Sequence, residues 1–179
     1  LCLEAGVDWH DKPAMADLAI AAWEKRVNSP QTSSVGRLFD AAAALIGVTR
    51  EQSYEGEAAM RLEALATGKS NSDALPLNKD GALWRADWAP LLPLLMSEER
   101  SPAERAALLH ATLAATLREQ AVKLREESGV ARVGLAGGVF QNRVLVAHVL
   151  RELASAGFTV FLPERLPVND AAIAYGQVI

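Results

Sequence analysis

The chain has a single cysteine, Cys2, among its 179 residues, so it cannot form an internal disulfide. A lone thiol fits a reducing compartment, and a cytoplasmic location is expected. Aromatic residues are scarce at 6%, and much of the 50% hydrophobic content is alanine, which points to packed helices. No basic excess exists: 22 acidic side chains face 18 basic ones, and the pI is near 5.4. That balance argues against a nucleic-acid partner, because a phosphate backbone wants a basic stripe. No apolar run approaches the roughly 20 residues of a membrane span, so no membrane partner is expected either. Charged residues at 22% beside 50% hydrophobic ones exclude general disorder. A chain of this size buries about 70% of its unfolded surface and needs no staples. It starts Leu1-Cys2-Leu3 and stops at Ile179 inside an apolar stretch, as a piece of something longer would.

Most of the first 130 residues have helical spacing. Ala16, Ala19, Ile20 and Trp23 recur three or four apart in a helix expected over 13–27, with Pro13 at its first position. Thr32-Ser33-Ser34 supplies cap oxygens for a helix holding Leu38, Phe39, Ala42, Leu45 and Ile46, which Gly47 stops. A third helix is expected from about Glu55 to Ala66, ending at Gly68. Residues 68–81 form a polar loop containing Lys69 to Asp73, and Gly81 to Trp88 is compatible with a short strand. Pro90 and Pro93 interrupt the next apolar piece. Ser101-Pro102-Ala103-Glu104 has the capping-box spacing of a helix start, and that helix can run to Ser128 before Gly129. Its expected inner face is Ala106, Leu109, Leu113, Leu117, Ala121 and Leu124, with the charges of 98–127 facing solvent.

From about residue 131 the pattern changes to strand, helix, strand, helix. Arg132 to Ala136 is expected to be a buried strand, residues 141–155 a helix, and Phe158 to Leu162 a second strand. A parallel crossover is the default for such a unit, and right-handedness comes with it. Asn169-Asp170 opens a last short helix.

Four stretches could carry chemistry. In the first, the strand ends at Gly137-Gly138, and Val139-Phe140-Gln141-Asn142 lead into the helix. Glycines let backbone approach a ligand closely, and the N–H groups of a helix start favour an anion there. Asn142 is expected just inside the helix, offering its amide. The same turn could simply permit tight strand–helix packing, and taken alone it narrowly favours that role. Neither a Walker A loop nor G-x-G-x-x-G spacing is present. In the second stretch, Asp170 is either a cap or a ligand-facing carboxylate at the edge of a parallel sheet. In the third, Asp40 and Arg37 suit a surface pair worth tenths of a kcal/mol, or Asp40 grips ribose hydroxyls. In the fourth, Tyr54-Glu55-Gly56-Glu57 has the composition of an acid-rich helix start. His10, His110 and His148 lack the spacing of a helical metal pair, and the latter two are expected to be structural. No nucleophile with a local base is visible.

Taken in order, these stretches resemble a family. Ser33-Ser34-x-Gly36-Arg37-Leu38-Phe39-Asp40, Tyr54-Glu55-Gly56-x-Ala58-Ala59, Gly137-Gly138-Val139-Phe140-Gln141-Asn142, and Pro167-x-Asn169-Asp170 with Gly176-Gln177 are similar to the C-terminal part of the HypF carbamoyltransferases, which help mature nickel–iron hydrogenases. The resemblance runs over roughly residues 30–179 and includes the helix around His110. It implies a helix-rich α/β fold, the C-terminal lobe of an actin-like, sugar-kinase-like ATPase domain. Residues 1–179 would form that one lobe, mainly helical over 1–130 with the nucleotide-side unit at 131–179.

The resemblance also implies roles. Gly137 and Gly138 would form the adenosine-side turn, Asn142 would touch the nucleoside, Asp40 would hold the ribose, and Gly56 would line the same pocket. Asp170 would give one ligand to a divalent metal (zinc, iron or magnesium) completed by residues elsewhere. In the family, carbamoyl phosphate and ATP give carbamoyl-adenylate in a YrdC-like domain. The actin-like domain then passes the carbamoyl group to the C-terminal cysteine of HypE, where it becomes a cyanide ligand. The family's histidine cluster is absent here, and Ala171-Ala172 stands where the family usually has Gly-Gly. An isolated lobe would therefore be inactive or nearly so. Two other readings remain open at this stage. One is another enzyme of the superfamily, such as a threonylcarbamoyl transferase or sugar kinase. The other is a non-catalytic helical interaction module.

Overall fold

A computed structural model describes residues 1–9, 12, 15–66 and 70–178. In chain order its elements are α1 (Cys2–Ala5), α2 (Ala16–Glu24), α3 (Val35–Ile46), α4 (Glu57–Leu65), β1 (Leu77–Asp80), β2 (Leu83–Ala86), α5 (Leu91–Met96), α6 (Pro102–Ser128), β3 (Arg132–Gly134), α7 (Arg143–Ser155), β4 (Thr159–Phe161) and α8 (Ile173–Gly176). Single 3-10 turns at Gly138–Gln141 and Asp170–Ala172 precede α7 and α8.

Helix α6 organises the packing and has the ends its sequence calls for. The Ser101 hydroxyl accepts the Glu104 N–H at 3.3 Å, and the Glu104 carboxylate accepts the Ser101 N–H at 2.8 Å. Gly129, at φ 72°, closes the helix by donating to the Arg125 carbonyl at 2.8 Å. The buried surface of α6 is wider than the expected stripe. Ala106, Leu109 and Ala121 are buried and Leu113 and Leu117 half-buried, but Leu124 is exposed. Ala107, His110, Ala111, Thr112, Ala114 and Ala115 are buried too, because α3, α4, α5, α7 and β2 all pack on this one helix. Nor do all its charges face solvent. Arg105 reaches inward to the Leu95 and Ile46 carbonyls at 2.8 and 3.3 Å, serving the C-terminal ends of α5 and α3. Arg118 bridges to Glu152 of α7 at 2.9 Å.

The core lies between these helices. Phe39, Leu62, Leu91, Leu95, Leu109, Val149 and Leu153 come together there with essentially no exposure. Each such side chain stabilises the fold by about 1.5–3 kcal/mol.

The first helix expected from spacing is shorter than 13–27 and buries none of its residues; Trp23 stays 44% exposed. It ends at Glu24 because Arg26 and Asn28 take positive φ. The proposed first residue Pro13 and the proposed stop Gly68 lie outside the described residues, as do His10 and Lys69. Helix α4 starts two residues later than expected, after Gly56 in a left-handed conformation. Pro93 does not interrupt the apolar piece at 91–96: it sits in the first turn of α5, where its missing N–H costs nothing. The polar loop contains β1, whose register with β2 runs from Leu77–Ala86 to Asp80–Leu83 across Gly81-Ala82. Polar side chains hid this strand, since both hairpin strands have mostly exposed faces.

Strands β3 and β4 pair in parallel, with Val133 opposite Val160. The expected buried strand is buried on one face only. Val133 and Val160 turn toward the core, and Arg132, Gly134, Thr159 and Phe161 are exposed.

The width of the α6 surface gives a direct check. Leu109→Ala should lower the unfolding free energy by about 2–5 kcal/mol. Leu124→Ala should change it by no more than about 0.5 kcal/mol. Urea denaturation of both variants measures this, and equal losses would contradict the observed packing.

Candidate functional site

Beyond β3, the Leu135 N–H still pairs with the Phe161 carbonyl at 2.9 Å, and then the chain turns away through Gly137. Gly137 has φ 113° and ψ 155°, a region that side chains disfavour. Its N–H donates to the Val168 carbonyl at 2.7 Å, and its carbonyl accepts the Phe140 N–H at 3.0 Å. The Val168 bond ties the glycine turn to the Asn169-Asp170 stretch. Ala136, Gly137, Val168, Asn169, Asp170 and Ala172 therefore help line one cleft of about 320 Å³. At Gly138, a Cβ would meet only Asn169 Cβ at 4.0 Å, an ordinary contact, so nothing inside the chain demands a glycine there.

At the far wall, Asn169 is the cap: its Oδ1 accepts the Ala171 N–H at 3.2 Å. This leaves the Asp170 carboxylate exposed beside the cleft. Ala171 and Ala172 lie in a 3-10 turn, which alanine adopts without strain. Among the described residues no three His, Cys, Asp or Glu side chains are grouped to hold a metal. The described residues do not by themselves make a metal site.

Asn142 is the N-cap of α7, not a residue inside the helix, because its backbone is extended (φ −72°, ψ 109°). Its Oδ1 accepts the Leu145 N–H at 2.9 Å, and its Nδ2 donates to His110 Nε2 at 2.9 Å. His110 Nδ1 in turn donates to the Ala106 carbonyl at 2.7 Å. A carbonyl only accepts and an amide nitrogen only donates, so the imidazole is neutral with its proton on Nδ1. Asn142 is 7% exposed and points inward, with one amide N–H beyond these bonds. Glu63 of α4 accepts the Arg143 N–H at 2.9 Å. The start of α7 is thus served by two side chains of the protein itself. The expected anion-attracting helix terminus is already satisfied, and the glycine turn is what remains open to a ligand.

Asp40 and Gly56 belong to a second region. Arg37 lies 2.9 Å from Asp40 Oδ2, the surface pair expected from spacing. Oδ2 is buried, and that contact lacks hydrogen-bond alignment. Gln52 donates to Asp40 Oδ1 at 3.1 Å and accepts the Ala58 N–H at 3.4 Å. Glu57 turns back to accept the Ser53 N–H at 2.6 Å, so the acid-rich helix start is partly buried. Arg37, Gln52, Ser53, Tyr54 and Glu55 line an open cleft of about 460 Å³. Gly56, at φ 84°, gives this loop its turn into α4. The two clefts share no lining residue. Between the two regions His110 stands edge-on to Phe39, the residue before Asp40, with centroids 5.2 Å apart.

Sequence reasoning singled out neither Gln52 nor Glu63, and gave His110 only a structural role. The signal for His110 was a polar ring at 110 amid the alanines of α6.

A family model described as "Carbamoyltransferase, Kae1-like Domain, second subdomain" matches residues 4–177. The chain belongs to the HypF carbamoyltransferase family. HypF of Rhodobacter capsulatus is 43% identical over 167 residues, covering 93% of this chain and 22% of the relative. HypF of Synechocystis sp. is 38% identical over 160 residues, covering 88% of this chain and 20% of the relative. Among solved structures, full-length HypF in a phosphate- and nucleotide-bound form aligns with TM-score 0.84 and 31% identity, over 93% of this chain and 22% of that one. T. kodakarensis HypF aligns with TM-score 0.75 and 32% identity, over 91% and 21%. The chain thus shares the helix-rich α/β fold of HypF and spans about a fifth of the length of these relatives.

Burial holds the His110 imidazole below its ordinary 6.5, and His148 shifts the same way through burial and the neighbouring Arg151. In the unfolded chain both take protons near pH 6.5, while the fold keeps them neutral. Between the folded and unfolded values the unfolded state binds more protons, so stability falls as pH drops. Stability should level off above 6.5 and decline as pH falls below it, His110 giving a slope of at most about 1.4 kcal/mol per pH unit. Urea melts across this range test it, and a level profile would contradict neutral buried histidines.

Proposed function

We propose that this chain is the C-terminal, nucleotide-side lobe of the actin-like domain of a carbamoyltransferase. The reading rests above all on the Gly137–Val168 hydrogen bond, which sets the glycine turn and the Asp170 loop around one cleft. Gly137 and Gly138 meet the adenosine of ATP or carbamoyl-adenylate. Gly138, which the fold itself does not require, leaves room for that approach. Asn142 holds the turn, and its remaining amide N–H is the group it offers to the nucleoside. Asp40 is the residue that holds the ribose, and Gly56 shapes the neighbouring loop. Asp170 supplies one carboxylate toward a divalent metal whose other ligands lie outside this chain.

In this reading, carbamoyl-adenylate made from carbamoyl phosphate and ATP is held here while a HypE-like acceptor protein presents its C-terminal cysteine thiolate. Sulfur attacks the carbamoyl carbon, the S–C bond forms, the C–O bond to phosphate breaks, and AMP leaves. This chain's contribution is positioning and polar contact, since among the described residues no nucleophile paired with a base lines the clefts. The nucleotide-bound HypF relative supports the nucleotide part of the reading.

The test is made on the full-length protein that carries this chain. ATP–pyrophosphate exchange should require carbamoyl phosphate; independence from it would remove the carbamoyl reading. In calorimetry with ATP, Asp40→Ala should weaken binding about tenfold, equal to about 1.4 kcal/mol. Unchanged affinity in both Asp40→Ala and Asn142→Ala would overturn the site assignment.

A further inference from the structure

Two chain segments of the proposed nucleotide site meet at one buried ring. His110 is fully buried on α6. Its Nε2 accepts from Asn142, the cap between the glycine turn and α7. Its ring edge meets Phe39, one residue before Asp40 on α3. Its Nδ1 is anchored to the Ala106 carbonyl of its own helix. Donors and acceptors fit this chain in one orientation only. Turning the Asn142 amide over would set Nδ2 against the Leu145 N–H, donor against donor. It would also set Oδ1 against the bare Nε2, acceptor against acceptor.

We infer that His110 is a positioning residue of the nucleotide site, fixing the glycine turn against the Asp40 helix through its acceptor bond to Asn142. This inference rests on the nucleotide reading above. His110 touches no ligand; it sets the rotamer and amide orientation of Asn142, and thereby where the Gly137-Gly138 backbone stands. Bland core packing would need the ring's shape but not its Nε2 lone pair.

Two substitutions separate these roles. In His110→Gln the longer amide can place an oxygen where Nε2 stands and still accept from Asn142, while the Ala106 bond is lost. In His110→Asn the shorter amide keeps the Ala106 bond and cannot reach Asn142. Each variant loses one buried hydrogen bond, so their melting temperatures should fall by similar amounts. Their ATP affinities should differ: within about threefold of the parent for His110→Gln, and weaker by about tenfold or more for His110→Asn. Affinities that fall together, or that follow melting temperature alone, would overturn the inference.

The unsubstituted protein gives a second measurement that needs no variant to fold. Protonating Nε2 puts a donor against Asn142 Nδ2, and only a flip of the amide, which uncaps Leu145, relieves it. The charged groups facing His110 are Glu63 of α4, which favours the proton, and His148 of α7, which opposes it. ATP affinity should therefore drop as pH falls from about 7.5 to about 5, with the drop diminished in His110→Gln. A drop of the same size in His110→Gln counts against the inference. If Asp40→Ala loses ATP while both His110 variants keep it, the nucleotide site stands and the His110 role falls. If the parent protein binds no ATP at all, the nucleotide reading itself falls.

Discussion

Close approach to helix α6 is the constraint on which the rest of this structure depends. Alanines at 106, 107, 111, 114 and 115 leave its backbone within reach of neighbours on several sides. Four other helices and a hairpin strand pack on it, so it behaves as a central post more than as a surface helix with one inner stripe. Small side chains contribute little apolar area each. The larger residues of the neighbours, Phe39, Leu62, Leu95 and Val149, fill the space they leave. Arg105 shows how far the arrangement goes, with one guanidinium serving the exposed carbonyl ends of two helices.

That post also explains how distant motifs meet. The Asp40, Tyr54-Gly56, glycine-turn and Asp170 stretches are scattered over 130 residues of chain. Helices α3, α4 and α7 all pack on α6, and α3 also touches the 3-10 turn that follows the glycine turn. The Val168 carbonyl then recruits the Asp170 loop. Two clefts result, and the buried His110–Asn142 contact lies at the start of α7 between the two regions.

Much of this was legible in the sequence where the chemistry is local. The box at Ser101–Glu104, the Gly129 stop, the cap at Ser34 and the parallel β3–β4 pair follow from neighbours in the chain, and all of them are present. What spacing missed depends on partners far along the chain. Leu124 falls on the expected inner face but nothing covers it. The α2 stripe has helical spacing and no burial. Pro93 has the look of a breaker until its place in the first turn is known. In the candidate site, the need for glycine at 137 was readable from the Gly-Gly pair. Glu63 was not, because no local pattern says that a side chain on α4 will serve an amide at position 143. The inward turn of Asn142 likewise depends on a histidine 32 residues earlier.

The Glu63 contact has a further consequence for how a ligand can lie. A carboxylate at the first amide of α7 cancels the partial positive charge that a helix start would offer. The start of α7 is therefore less attractive to an anion than a bare helix start. On the proposed nucleotide reading, this favours the base over the phosphates beside the glycine turn. In that reading a single side chain of α4 gives the site a polarity, leaving the charged end of the nucleotide outward.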